Sequence, residues 1–408
     1  MKPSIWRAGM LSFIALSSIL AIVSSLHRSP SGDFGFDGTL NAATHQIRVT
    51  SVAANSPAAR AGVRKGDLIL PPGAFRQRIR SRITHPGDIV AFDVRRGNSV
   101  RNVRLTARPG NDNSVLSGYI VGLMKFLFLG MAALIAARRP DDPSARAITA
   151  FFALFGFAVS FNYGWFQSPA VILALFILVE AAFVVGGACA LRFTALFPRK
   201  SSGGFRAVIL RTIPYVAALG VAHSAVRLTA IMVYGAIGPA VYTGLSLLWA
   251  YYILASIACL MIALRQAQGS ERQRLLWLFF TFAVGFSGLL ITFVQLFFNT
   301  LTDYGDEAGV TVLLIPIGLA YVILRHRVLD ITFVVNRAVV FAGVSIVVVG
   351  VFVVLEWFLG RYFLQTNHVT STLVELGVAL GLGFSIRYVH NRIDRFVDDV
   401  FFPRTASG

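Results

Sequence analysis

Charge is scarce in this chain. Of its 408 residues only 14% are charged and 56% are hydrophobic, whereas a water-soluble chain carries about a quarter charged residues. A single soluble globule is excluded. Cysteine is nearly absent. Cys189 and Cys259 both lie inside apolar runs, which excludes a disulfide framework and a thiolate metal centre. The seven histidines (27, 45, 85, 223, 326, 368 and 390) never stand one helical turn apart beside a Glu, as zinc proteases require. Only His223 falls deep in an apolar run, too few ligands for zinc. No Gly-x-Ser-x-Gly run marks a serine nucleophile, and no Gly-rich Lys loop a phosphate site. The expectation is a non-catalytic chain without metal or cofactor.

What is abundant is Phe (34) and Gly (36), in runs near the ~20 residues a helix needs to cross hydrocarbon. The fold class expected is mainly α, a polytopic membrane protein of about ten spans with an inserted extracytoplasmic α+β domain. The spans fall at 5–26, 115–137, 147–163, 169–196, 207–233, 240–264, 275–298, 310–324, 335–360 and 372–387. The first follows Lys2 and flanks Arg7. Its end, Ser24-Ser25-Leu26, lacks a small-x-small cleavage pattern, so it reads as an uncleaved anchor. Loops with Arg138, Arg139 and Arg146, with Arg199, Lys200 and Arg206, and with Arg265, Arg272 and Arg274 alternate with loops that carry no basic residue. Basic loops face the cytoplasm, which puts both termini inside and residues 28–112 outside. The net charge of +18 is therefore mostly span-end charge, and no nucleic-acid partner is expected.

The expected organisation is an anchor (1–27), an outer domain (28–112), a seven-helix block (113–331), a helix pair (332–388) and a cytoplasmic amphipathic tail (389–408). In the outer domain Ser56 suits an N-cap with Pro57 as first helical residue and Gly62 as stop. Phe75, Ile79 and Ile83 form an apolar stripe on a helix whose other faces carry Arg76, Arg78, Arg80 and Arg82. Val90, Phe92 and Val94 alternate as a strand, Arg96-Gly97-Asn98 turns it, and Val103, Leu105 and Ala107 alternate back.

The run Val49-Thr50-Ser51-Val52, Asn55-Ser56-Pro57-Ala58-Ala59, Ala61-Gly62-Val63 and Gly66-Asp67-Leu68-Ile69, with the later Pro86-Gly87-Asp88, resembles the bacterial PDZ signature over residues 32–108. The resemblance implies capture of an extended peptide or a protein carboxyl terminus as an added strand. It puts the groove between the strand at 47–52 and the helix at 75–83, with Phe34-Gly35-Phe36 as the nearest match to a carboxylate loop. The implied peptide-binding residues are Phe34, Gly35, Phe36, Ile47, Val49, Phe75 and Ile79. Asp37 departs from the pattern, since it would repel a carboxylate. The other reading is a module that only docks on its own membrane helices or on a partner.

Inside the spans, Lys125, Glu180 and His223 each fall ~10 residues from the outer end, ~15 Å deep by helix rise. Arg227 lies one turn outward of His223. The four are expected to form one polar layer, either a ligand- or proton-sensing pocket or a structural clamp between helices. Asn162, Tyr163 and Trp165 read as interface anchors.

A second resemblance covers the carboxyl half. Glu271-Arg272-Gln273-Arg274-Leu275-Leu276-Trp277, Ile315-Pro316, Tyr321 to Ile331, Asn336-Arg337, Asn391 to Asp398 and Phe401-Phe402-Pro403-Arg404 resemble the membrane region of sensor histidine kinases related to the competence quorum-sensing kinases. The residues stop at Gly408 without a phosphoacceptor-His helix or an ATP-lid segment, so a kinase is expected as a separate chain, or lost. Ile386, Val389, Ile393, Phe396 and Val400 form a heptad-like stripe, suited to pairing two copies, docking that kinase, or lying in the lipid interface. The expected function is signal sensing and transduction across the membrane. A scaffold recruiting envelope proteins is the alternative, and a transporter, which wants broken helices and internal repeats, ranks last.

Overall fold

The computed structural model describes residues 3–26, 32–41, 46–110, 115–198, 204–234, 239–297 and 305–326. The expected spans at 335–360 and 372–387 and the stripe from Ile386 to Val400 lie outside the described residues. So do the kinase-like motifs beyond His326.

The first helix, α1 (Pro3–Leu26), leads into a small sheet domain. Its strands are β1 (Gly32–Asp33), β2 (Phe36–Asn41), β3 (Gln46–Val52), β4 (Leu68–Leu70), β5 (Ile89–Arg96), β6 (Ser99–Thr106) and β7 (Arg108–Pro109). Two helices interrupt them, α2 (Pro57–Arg60) and α3 (Phe75–Arg82). Strands β2 to β6 form one antiparallel sheet in that order, and β1 pairs with β7. Alternation puts Val90, Phe92 and Val94 of β5 and Val103 and Leu105 of β6 into a core shared with Phe34, Val49 and Ile69. Ser56 accepts the Ala59 N–H at 3.1 Å and so caps α2.

The helices that follow are α4 (Val115–Arg138), α5 (Pro143–Ala158), α6 (Pro169–Leu196), α7 (Phe205–Tyr234), α8 (Pro239–Gln266), α9 (Gly269–Gly285), α10 (Ser287–Phe297) and α11 (Gly305–His326). Helices α2, α5, α6 and α8 all open on proline, whose missing N–H is no loss in a first turn. Six stretches among the described residues are helical, long and apolar enough to cross a membrane: Pro3–Leu26, Val121–Arg138, Pro169–Leu196, Phe205–Val233, Thr243–Gln266 and Gly269–Val294. This is a mostly helical, multi-pass architecture with one small sheet region. The chain divides into two compact units. One holds Met1–Asp112 with Met124–Ile317, the other Asn113–Leu123 with Gly318–Gly408.

Two spans differ from the sequence expectation. The expected 147–163 helix starts earlier and stops at Ala158. Beyond it a 3-10 turn at Tyr163–Trp165 is capped by Asn162, which accepts the Gly164 N–H. The 275–298 span is broken at Phe286 between α9 and α10. Gly285 stands at this junction: a Cβ there would stand 2.3 Å from Ile315 Cγ1, so only glycine admits this contact, and Thr311 donates to its carbonyl at 3.3 Å.

Asp67 anchors the sheet domain's turns. It is 2% exposed, accepts the Arg64 N–H at 2.9 Å, and takes Arg96 in a two-pronged pair at 2.7 Å on each oxygen. The Arg96 guanidinium holds the Asp67 carboxyl below its usual range. A depressed carboxyl stabilises the fold above its unfolded value, about pH 4, and that contribution is lost as pH falls through the lower folded value. Asp67→Asn is therefore expected to increase proteolysis of residues 32–110 at pH 7, with the difference from wild type shrinking in acid. An equal difference at pH 7 and pH 3 would contradict the pairing.

Candidate functional site

One cavity lies where the expected strand and helix meet, lined by Ile47 of β3 and by Ser81 and Arg82 of α3. Strand β3 is paired with β2 and, at Ile47 and Arg48, with β4, so its main chain has little room left for an added strand. The outer strands of the five-stranded sheet are β2 and β6, and among the described residues β2 pairs only with β3. The cavity has a volume of about 190 Å³. Its walls are Phe34, Phe36 and Ile47, then Ile69 to Pro72, then Ser81 and Arg82 of α3. Phe34 and Phe36 both pack edge-on against Phe92, which fixes this aromatic wall. The last wall is Ile231, which comes from α7.

Of the expected groove residues, Phe34, Phe36 and Ile47 line the cavity. Val49 is in the sheet core. Ile79 is 2% exposed and turned the other way, packed with Ile172, Ile231 and Met232, and Phe75 and Ile83 pack against the same cluster. The stripe on α3 thus seats the sheet domain on α6 and α7. Gly35 is a conformational requirement: φ is +79°, and a Cβ would overlap Ser56 Cβ at 2.1 Å. Its N–H, the donor a bound carboxylate would need, already donates to Asp33 Oδ1 at 2.6 Å. Arg108 holds Asp33 from the other side at 3.1 Å.

The seam with the membrane helices is closed by Arg78, which the sequence places on a helix face among three other arginines. It is 8% exposed. Its guanidinium donates to Pro72 O and Met232 O, each at 2.8 Å, and also to Gly73 O and Val233 O. Met232 and Val233 are in the last turn of α7, where carbonyls have no intrahelical partner and the helix dipole favours a cation. Burial lowers the pKa of Arg78, yet guanidinium stays charged. His85 adds a second tie, its Nε2 3.1 Å from Gly164 O.

No family model, curated protein or solved structure matches this chain. Among the described residues no group of His, Cys, Asp and Glu is arranged to hold a metal.

Within the spans the structure brings two residues of the expected layer, Glu180 and Arg227, into direct contact. Arg227 donates to Glu180 Oε2 in an ion pair between α7 and α6. Lys125, 8% exposed, donates to Ser24 of α1 at 2.9 Å. His223 packs on Gly244 of α8, where a Cβ would stand 2.7 Å from its ring. Residue counting gives no azimuth around a helix, and azimuth decides which charges meet. Arg227 and Ile231 stand one turn apart on α7, so the ion pair and the groove wall share a helix face.

Removing one partner of a buried pair leaves an uncompensated charge, at about 3–5 kcal/mol. Glu180→Gln is expected to cost that much in thermal unfolding of the detergent-solubilised protein, and Glu180→Gln with Arg227→Gln to recover most of it. Additive losses would show that the two residues do not stabilise each other.

Proposed function

We propose that the chain is a non-catalytic inner-membrane sensor in which a PDZ-like outer domain binds an extended peptide and passes the event to the membrane helices. The observation that carries it is the composition of one cavity: Phe36 of β2, an outer strand of the sheet, and Ile231, a residue of a membrane-length helix, line the same space. A peptide added to β2 gains main-chain hydrogen bonds from the edge and side-chain contacts from the cavity. It also touches α7 directly. Because Asp33 occupies the Gly35 amide, the ligand class favoured is a mid-chain extended segment. A ligand shifts helix position only as far as its affinity differs between the two states, and a wall shared with α7 supplies that difference. Inward relay through the tail to a separate histidine kinase belongs to the same proposal, by resemblance.

The orientation proposed has the sheet domain outside, both termini in the cytoplasm and ten spans. Its support is charge. The domain packs at the end of the bundle formed by the start of α6 and the end of α7, and the described loop at that end, 159–168, carries no charged residue. Arg138, Arg139, Arg265, Arg272 and Arg274 lie at the other end, as the positive-inside rule asks of a cytoplasmic face. In a variant lacking Cys189 and Cys259, Asn98→Cys is expected to react with an impermeant thiol reagent on intact spheroplasts and Arg272→Cys only after lysis. Equal reactivity before lysis would reverse the assignment.

The functional test uses the full chain in nanodiscs and a displayed library of extended peptides. Selected peptides are expected to bind the wild type, to bind Ser81→Trp, which fills the cavity, at least about tenfold more weakly (~1.4 kcal/mol), and to change amide exchange at residues 231–234. Failure to select any peptide, or equal binding to Ser81→Trp, would overturn the groove. Binding with no change at 231–234 would instead favour a scaffold that recruits envelope proteins without inward signalling.

A further inference from the structure

A second cavity, of about 350 Å³, opens on the opposite side of α3 from the groove, between that helix and the start of α6. Arg76 and Arg80 line it from the sheet domain, and Phe166, Pro169 and Ile172 from the membrane helix. Arg76 and Arg80 are one turn apart, on the same helix face. No hydrogen bond or ion pair involves either guanidinium among the described residues. The carboxylate in the wall, Asp88, is engaged by His85, accepting its N–H at 2.8 Å with the ring Nδ1 at 3.5 Å. Two like charges at this spacing repel each other, and the wall sets one carboxylate against two guanidiniums, so the cavity keeps a net positive charge above an apolar floor.

The depth of the cavity narrows the choice of anion. Pro169 and Ile172 belong to the first turn of a 28-residue apolar helix, and Tyr163 and Trp165 stand in the adjoining turn. Such residues mark the level of the lipid headgroups. An anion here has apolar side chains below it and guanidiniums above, which is the polarity order of a phospholipid headgroup over its acyl chains. Arginine is also the side chain best suited to two-pronged phosphate contacts. We propose that this cavity binds the phosphate of an anionic phospholipid from the leaflet on the sheet-domain side, with Arg76 and Arg80 as its ligands. The site tethers the sheet domain to the bilayer independently of the peptide groove.

The test compares the full chain in phosphatidylcholine nanodiscs with and without phosphatidylglycerol, reading lipid retention by native mass spectrometry and the melting temperature. The wild type is expected to retain phosphatidylglycerol and to melt higher in its presence. Arg76→Gln with Arg80→Gln is expected to lose at least about tenfold in retention and to lose the shift. The control Arg104→Gln, which removes an exposed charge on β6, is expected to keep both. Ile83→Trp fills the cavity while sparing both arginines, and is expected to reproduce the loss. Undiminished retention in the double variant or in Ile83→Trp would overturn the site. Equal displacement of the lipid by millimolar inorganic phosphate would overturn the lipid assignment in favour of a soluble anion.

Discussion

The main-chain carbonyls at the end of a membrane-length helix constrain everything above them. A helix leaves its last four carbonyls without partners, and in the last turn of α7 those of Met232 and Val233 face a folded domain. Arg78 resolves this from the domain side, donating to both and to the Pro72 and Gly73 carbonyls of its own loop. One guanidinium thus satisfies two backbones at once. Its position fixes α3 over α6 and α7, and with α3 the cavity on each flank of that helix. The apolar stripe of Phe75, Ile79 and Ile83 supplies area, while Arg78 supplies the register.

That division of labour explains what the sequence disclosed. The strands and turns of the sheet domain follow from local chemistry: alternation in Val90-Phe92-Val94, a cap at Ser56, and positive φ at Gly62, Gly66, Gly87 and Gly97. Apolar length located the helices to within a few residues. Contact between elements distant in sequence was not legible. The stripe on α3 announced burial without naming the burying surface. Arg78 looked like its neighbours Arg76, Arg80 and Arg82, because only the tertiary fold brings carbonyls to one of the four. The pairing of β2 with β3 was hidden for the same reason, since β2 is a weak strand signal, with Asp37 and Gly38 inside it.

The membrane charges follow the same logic at lower dielectric. A lone ionisable side chain in hydrocarbon costs about 2.5–3.5 kcal/mol on insertion scales, so each must find a partner within reach of its own helix face. Glu180 finds Arg227 across the α6–α7 interface, and Lys125 reaches the Ser24 hydroxyl of α1. The ion pair ties two helices that also carry the sheet domain, whereas the Lys125 contact ties α4 to the anchor.

The Arg78 contacts also order events during synthesis. They join residues 154 and 155 positions apart, whereas all seven strands of the sheet domain are complete by Pro109. The domain therefore emerges and folds with this guanidinium still hydrated, and the joint closes only once α7 has been threaded into the bilayer. Contacts of such long range form late. A nascent chain arrested before residue 232 would carry a finished sheet domain with α6 to rest on but without the guanidinium joint to α7.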